Sequence, residues 1–364
     1  MPPRDFHRCT NETYSFDEPT STKWFPRHKA EREDCERISK TIQFAIDRMG
    51  TVPRTAPSRE LNYEDVIYLL HRLAQDSPVE PLLERTIERL RKCFMRNLGV
   101  DEADLHMLLI RTINCMTDLL RELLWDTRIK CTDHLNFVQR IVSEHGSANV
   151  TIATTNHDRV LERYLSLNGI NFRDGFARDG AEKDLWRPQI LDSVSDGIQL
   201  LKIHGSIDWY LIMHPDVLNH GREYARMDRP GGFLHPDGRG WTLYESQPRM
   251  VVGTLDKQEH YLTGITGDLI CRFRRALKDS RLLLVCGCGF QDSGINRIID
   301  EWVFGDLPRR MIVVGQDRTV VGKSEWGRRW ESQTGKGVLR VTRKKLGLAK
   351  GDLRWPNVKS LLSE

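Results

Sequence analysis

The chain has 364 residues, 39% of them hydrophobic and 29% charged, with 55 Lys/Arg against 51 Asp/Glu for a net charge of +4. That balance fits a globular protein with enough chain for one large or two modest domains, and argues against a fibrous or disordered one. No run approaches the roughly 18 apolar residues of a membrane span, and MPPRDFHRCTNE at the start lacks an apolar signal-peptide core.

Residues 1–60 read as irregular apart from one amphipathic helix near Ala30–Met49. From residue 61 to 145 the apolar spacing is three and four, as in YEDVIYLLHRLA, EPLLERTIERLRKCFM, LHMLLIRTINCMTDLLRELLW and LNFVQRIVSE, which predicts a helical layer. Five short apolar runs then read as parallel strands: Asn149–Thr154, Ile198–Ile203, Met250–Gly253, Arg281–Val285 and Met311–Gly315. Helical segments such as DRVLERYLS and ITGDLICRFRRALKDS lie between some of them, as a doubly wound, Rossmann-like α/β sheet requires. Residues 210–248, rich in Gly, Pro and His, read as a loop insertion.

The end of the chain is basic. Residues 317–364 carry 12 Lys/Arg against 5 Asp/Glu, so 316–364 reads as a basic tail. Such a tail can meet phosphate or nucleic acid, but no interleaved aromatics support nucleic-acid binding beyond the charge itself. Eight cysteines without a C-x-x-C pair predict free thiols in a reducing compartment, hence a cytoplasmic protein.

Three strand ends carry the chemistry. The first runs into TTNHD at Thr154–Asp158, the second into KIHGSIDW at Lys202–Trp209, the third into GCGFQDSGIN at Gly287–Asn296. Polar and glycine residues at the carboxyl ends of parallel strands build the ligand crevice of open α/β sheets. Asn156 can hold a water or a sugar hydroxyl through both amide atoms. His204 can accept a proton near neutral pH or bind a sugar hydroxyl. Asp158 and Asp292 sit where a helix cap is the competing reading, and the glycines Gly287 and Gly289 where a tight turn is. Cys286 and Cys288 read as small buried residues. His157, His214, His220 and His235 lack comparable context and read as solvent-exposed or structural.

Taken together, TTN-x-D, HGS-x-D-W and G-x-GF-x-D-x-x-IN resemble the sirtuin-like NAD-consuming domains of prokaryotic antiviral defence, over roughly Asn62 to Gly315. The resemblance implies a sirtuin-like α/β domain over 61–315, its helical layer at 61–145 inserted before the TTN strand and its sheet at 149–315. It implies NAD as substrate, catalysis by Asn156 and His204, and nucleotide contacts from Thr154, Thr155, Asp158, Gly205, Ser206, Gly287, Gly289, Phe290, Asp292 and Asn296. A homo-oligomer or a partner defence protein is also what it implies.

The sequence departs from the family pattern at one place. Relatives open the sheet with a strand running into Gly-Ala-Gly, whose backbone approaches the pyrophosphate. Here the first glycine is Gly50 and the next Gly99, neither after an apolar run, so the first central strand is expected to be missing. Three explanations stand: an incomplete chain, a degenerate homologue, or a gap filled by a partner or by Met1–Arg27. FDEPTSTKWF at Phe16–Phe25 resembles the segment just after that loop in relatives, which favours the first.

Function divides accordingly. An NAD glycohydrolase, releasing nicotinamide and ADP-ribose, is the leading reading. A catalytically silent subunit that binds a nucleotide or a partner protein is the alternative. A protein deacylase ranks behind both: true sirtuins carry a four-cysteine zinc module after the HG motif, and only Cys271 lies between His204 and Cys286, so no zinc is expected.

Overall fold

Helices dominate the first third of the chain because apolar residues recur there every three to four positions. The computed structural model describes residues 29–49, 63–74, 81–125, 135–178, 180, 184–193, 197–213, 221–227, 242–245, 247–252, 261–305, 309–315, 325–331 and 339–345. The chain divides into two compact units, residues 1–121 with 252–256, and residues 122–251 with 257–364.

In the first unit, helices α1 (Lys29–Arg48), α2 (Tyr63–Ala74), α3 (Pro81–Leu98) and α4 (Glu102–Leu124) gather a core around Ala45, Ile67, Leu69, Leu70, Phe94 and Leu109. Helix α2 is buried nearly all round, as its run VIYLL requires. Its last turn is closed from outside, where Arg91 Nε donates to the Leu73 carbonyl at 2.8 Å and satisfies one of the oxygens that a helix end leaves over.

In the second unit, helix α5 (Asn136–His145) leads into β1 (Thr151–Thr154), followed by α6 (Val160–Leu167), β2 (Phe172–Arg173), α7 (Gln189–Asp192) and β3 (Ile198–Lys202). Strands β1 and β2 flank β3, both parallel to it. A small antiparallel sheet comes next, with β4 (Trp209–Met213) between β5 (Arg222–Arg226) and β6 (Thr242–Leu243). Further on, α8 (Gly264–Asp279), β7 (Leu282–Cys286), α9 (Ser293–Val303), β8 (Arg309–Gly315), α10 (Glu325–Glu331) and β9 (Leu339–Lys345) make a second parallel sheet with β8 in the middle. The architecture is thus α/β with parallel sheets and intervening helices.

Backbone register shows which edges are used. In a parallel ladder successive residues address opposite edges. Gln199 N donates to Val150 O at 3.1 Å and Ile203 N to Thr154 O at 3.0 Å, so Thr151 and Ala153 address the far edge of β1. Likewise Arg310 N donates to Arg281 O and Gly287 N to Val314 O, both at 2.9 Å, which turns Leu282, Leu284 and Cys286 away from β8. Neither far edge has a partner strand among the described residues. Burial follows pairing: Leu200 and Leu201 in β3 and Met311 and Ile312 in β8 are fully buried, while Leu282 is 38% exposed. Leu284, like Val150 and Ile152, packs against the apolar cluster that includes Phe137, Tyr164, Ile198 and Leu200.

Three sequence expectations need correction. The stretch 210–248 is not only a loop, because it holds most of β4 and all of β5 and β6. Charged REYAR hides its strand character because an antiparallel strand can face water on one side. Met250–Gly253 is not a strand either. Met250 makes one antiparallel bridge to Gly205, its neighbours being held by the HGS turn through Ser206 N to Arg249 O and Val251 N to His204 O; Gly253 lies outside the described residues. Finally, the segment read as a basic tail holds α10 and β9. Trp330 of α10 is fully buried, donates Nε1 to Asp300 Oδ1 at 3.0 Å and meets the Phe290 ring edge-on.

Candidate active site

The TTNHD and HGSID segments leave β1 and β3 side by side, and the chain ties them together. The His157 carbonyl accepts from Ile207 N at 3.1 Å and from the Ser206 hydroxyl at 3.3 Å. Lys202 donates from Nζ to the Asp158 carbonyl, and Arg159 meets the buried Asp208 at 3.2 Å. The His157 and His204 rings stand 6.1 Å apart. His157 is therefore a buried packing residue rather than a solvent-exposed one. His214, His220 and His235 lie outside the described residues.

Lys202 is the costliest of these links to bury. It is 1% exposed, and its ammonium needs a counter-charge. Glu162 of α6 supplies it, with Oε1 2.8 Å from Nζ. Burial pushes the Glu162 carboxyl up, against the opposing pull of the Lys202 charge and hydrogen bond. One buried ion pair thus anchors the turn that carries Asn156. A lysine ending an otherwise apolar run was the sequence signal for it.

Within that turn the named residues separate. Thr155 and Asn156 are exposed, and Thr154 is half-buried with its hydroxyl accepting from Asn156 N at 3.1 Å. Asp158 accepts from Val160 N at 2.9 Å in a local turn just ahead of α6, whose N-cap position is Arg159. Gly205 is obligatory, because at φ 79° an added Cβ would lie 2.0 Å from the Arg249 carbonyl oxygen. Ser206 is fully buried with its hydroxyl given to His157.

The third segment closes on His204. Asp292 caps α9 by accepting from Ile295 N at 3.0 Å, and its other oxygen lies 2.9 Å from His204 Nε2. Tyr261 completes the group: its hydroxyl is 2.8 Å from the same Nε2 and hydrogen-bonds the same Asp292 oxygen. Burial alone would raise the Asp292 carboxyl. The hydrogen bond and charge of His204, with help from Tyr261 and the Ile295 amide, instead bring it down to about 2. No sequence pattern announces Tyr261. Gly294 makes room for it, since a Cβ there would lie 2.5 Å from the Tyr261 ring.

Phe290 and Asn296 hold this segment in shape. Phe290 takes φ 51°, a left-handed conformation costly for a bulky residue by about 1–2 kcal/mol. Asn296, buried, donates Nδ2 to the Phe290 carbonyl at 2.8 Å and fixes that turn. Gly289 has ordinary contacts around an added Cβ, whereas Gly287, at φ 65°, has open space within 4 Å. Cys286 is exposed rather than buried, and Cys288 is half-buried, its thiol pushed up by burial. Among the described residues no group of three or more His, Cys, Asp or Glu could hold a metal ion, and no helix is long and apolar enough to cross a membrane.

The carboxyl ends of β3 and β7 thus converge on one buried histidine, with the exposed Asn156 turn latched beside it. A family model described as a SIR2-like domain matches residues 150–332, which takes in all three motifs. The chain belongs to the SIR2-like domain family. The match reaches past residue 315 into α10, which agrees with the burial of Trp330 against Phe290. A search of the curated proteins finds no match. SIR2-like domains bind NAD.

Proposed function

We propose that this SIR2-like domain hydrolyses NAD to nicotinamide and ADP-ribose. One observation carries the reading: the turn that holds an exposed amide, Asn156, is tied through the His157 carbonyl to the turn that holds a buried, carboxylate-bound imidazole, His204. Cleavage breaks the bond between ribose C1′ and the pyridinium nitrogen, whose electron pair returns to the ring, so nicotinamide leaves neutral without an acid. Water then adds its oxygen to C1′ and gives up a proton. Asn156 orients that water or a ribose hydroxyl, and His204 binds a ribose hydroxyl and relays the proton. We assign nucleotide contacts to Thr154, Thr155, Gly287 and Gly289, while Asp158, Gly205, Ser206, Phe290, Asp292 and Asn296 shape the turns around them.

The role we assign is NAD depletion in cytoplasmic antiviral defence, in a homo-oligomer or with a partner defence protein, and without zinc. Nicotinamide release from NAD by the purified protein, beside Asn156→Ala, tests the activity. Release that persists in the variant would overturn the assignment of Asn156.

A second reading is favoured by a specific observation. Strands β1 and β7 are each paired along one edge only among the described residues. A silent subunit that binds nucleotide would show NAD binding by calorimetry with no release of nicotinamide.

A further inference from the structure

Tyr261 lies outside every motif, yet its hydroxyl meets His204 Nε2 at 2.8 Å and the Asp292 carboxylate as well. His204 and Tyr261 are both buried, and the Asp292 side chain is 14% exposed, so water has little access to the three groups. Their hydrogens can be assigned by elimination. An ionised carboxylate only accepts. The hydroxyl hydrogen of Tyr261 therefore goes to Asp292, which leaves the Tyr261 oxygen as an acceptor toward His204. Both oxygens facing Nε2 are then acceptors, and Nε2 must carry the hydrogen.

We propose that Tyr261 is a positioning residue for His204: with Asp292 it holds the ring hydrogen on Nε2, so that Nδ1 is the nitrogen that can accept a proton. The inference rests on His204 being the working ring of the proposed hydrolase site. It assigns Tyr261 no contact with substrate. Its effect is to fix which edge of the imidazole is basic, and a ring held in one tautomer needs no rearrangement before it accepts a proton. Gly294 belongs to the same device, because any side chain there would push the Tyr261 ring from its place.

The test reads the tautomer directly. Nitrogen-15 NMR of the full chain, with the His204 signal identified by its loss in His204→Gln and the pH raised until the ring is neutral, should show the hydrogen on Nε2 and none on Nδ1. Tyr261→Phe keeps the ring packing and should shift His204 toward a mixture of tautomers. Asp292→Asn, which retains a good helix cap, should reverse the preference by placing an amide donor near Nε2. In the same variants nicotinamide release should fall in kcat with KM little changed, by about 10-fold or more for Tyr261→Phe and up to about 10⁴-fold for Asp292→Asn. A wild-type His204 protonated on Nδ1, or a tautomer unmoved by Tyr261→Phe, would overturn the proposal. Wild-type protein with the expected tautomer but no nicotinamide release would sink the hydrolase reading and leave this inference standing.

Discussion

The carboxyl ends of β3 and β1 are built to opposite standards. β3 has a neighbour on each side, and its histidine is 3% exposed, held by Asp292 and Tyr261 and followed by a glycine whose added Cβ would strike the Arg249 carbonyl. Among the described residues β1 has a neighbour on one side, and its asparagine stands exposed, its backbone tied back to Thr154. A proton-handling group needs fixed partners and little water, whereas a group that takes up substrate or water must be reachable. The difference teaches that two working residues of one site can be held to different standards, one left reachable and the other fixed by buried partners.

Replacing the two residues by alanine should separate these standards most sharply. Asn156→Ala and His204→Ala should each cut nicotinamide release by about 10²-fold or more. Urea unfolding should nevertheless tell them apart. Asn156→Ala should change stability by no more than about 0.5 kcal/mol. His204→Ala leaves the buried Asp292 carboxylate without its imidazole hydrogen bond and should lose about 3 kcal/mol. Equal stabilities would break the comparison.

The latch between the two ends is the next lever. Lys202→Met strands Glu162 without its partner and should lose about 3 kcal/mol in the same assay; adding Glu162→Leu should restore most of that. A double variant no better than the single would mean that the pair does not anchor the turn. Gly205→Ala, with its Cβ driven against the Arg249 carbonyl, should lose about 2–4 kcal/mol and lower the melting temperature accordingly.

Acid offers a gentler probe of the His204 side. The Asp292 carboxyl is depressed from 3.8 to about 2 on folding. A depressed acid stabilises the fold above its unfolded pKa, and that stability is lost as pH falls through the folded value. About 2 kcal/mol should therefore disappear between about pH 4 and pH 2, a loss that Asp292→Asn should flatten. Chemical denaturation across that range measures it. Smallest of all, Thr155→Ala on the exposed turn should stay within about 0.5 kcal/mol of wild type.

The sequence made the three strand ends legible for a physical reason. Parallel strands are continuous apolar runs, so NVTIAT, IQLLKI and RLLLVC stand out, although only β3 among the three has buried residues along it. Helices α1 to α4 were equally plain from their spacing. β5 was not, because REYAR places charge on a strand whose apolar partner lies across an antiparallel pair. Nor was α10, a short helix in a basic segment whose one decisive residue is Trp330. Ser206 and Asn296 read as nucleotide contacts, and the bonds that the structure gives them, to His157 and Phe290, are invisible without the partner; the Asp292 cap was legible, its bond to His204 was not.

Sequence by itself determined the layered α/β plan, the order of the motifs and the family likeness, because these arise from local periodicity and from residue types at strand ends. Only the tertiary structure decided which of those residues face outward, that Tyr261 joins His204 and Asp292, and that Lys202 pins the Asn156 turn. Those are contacts between segments 30 to 90 residues apart in the chain. Geometry of that kind is set by packing, in which each buried polar atom must find a partner, and one-dimensional pattern does not record it.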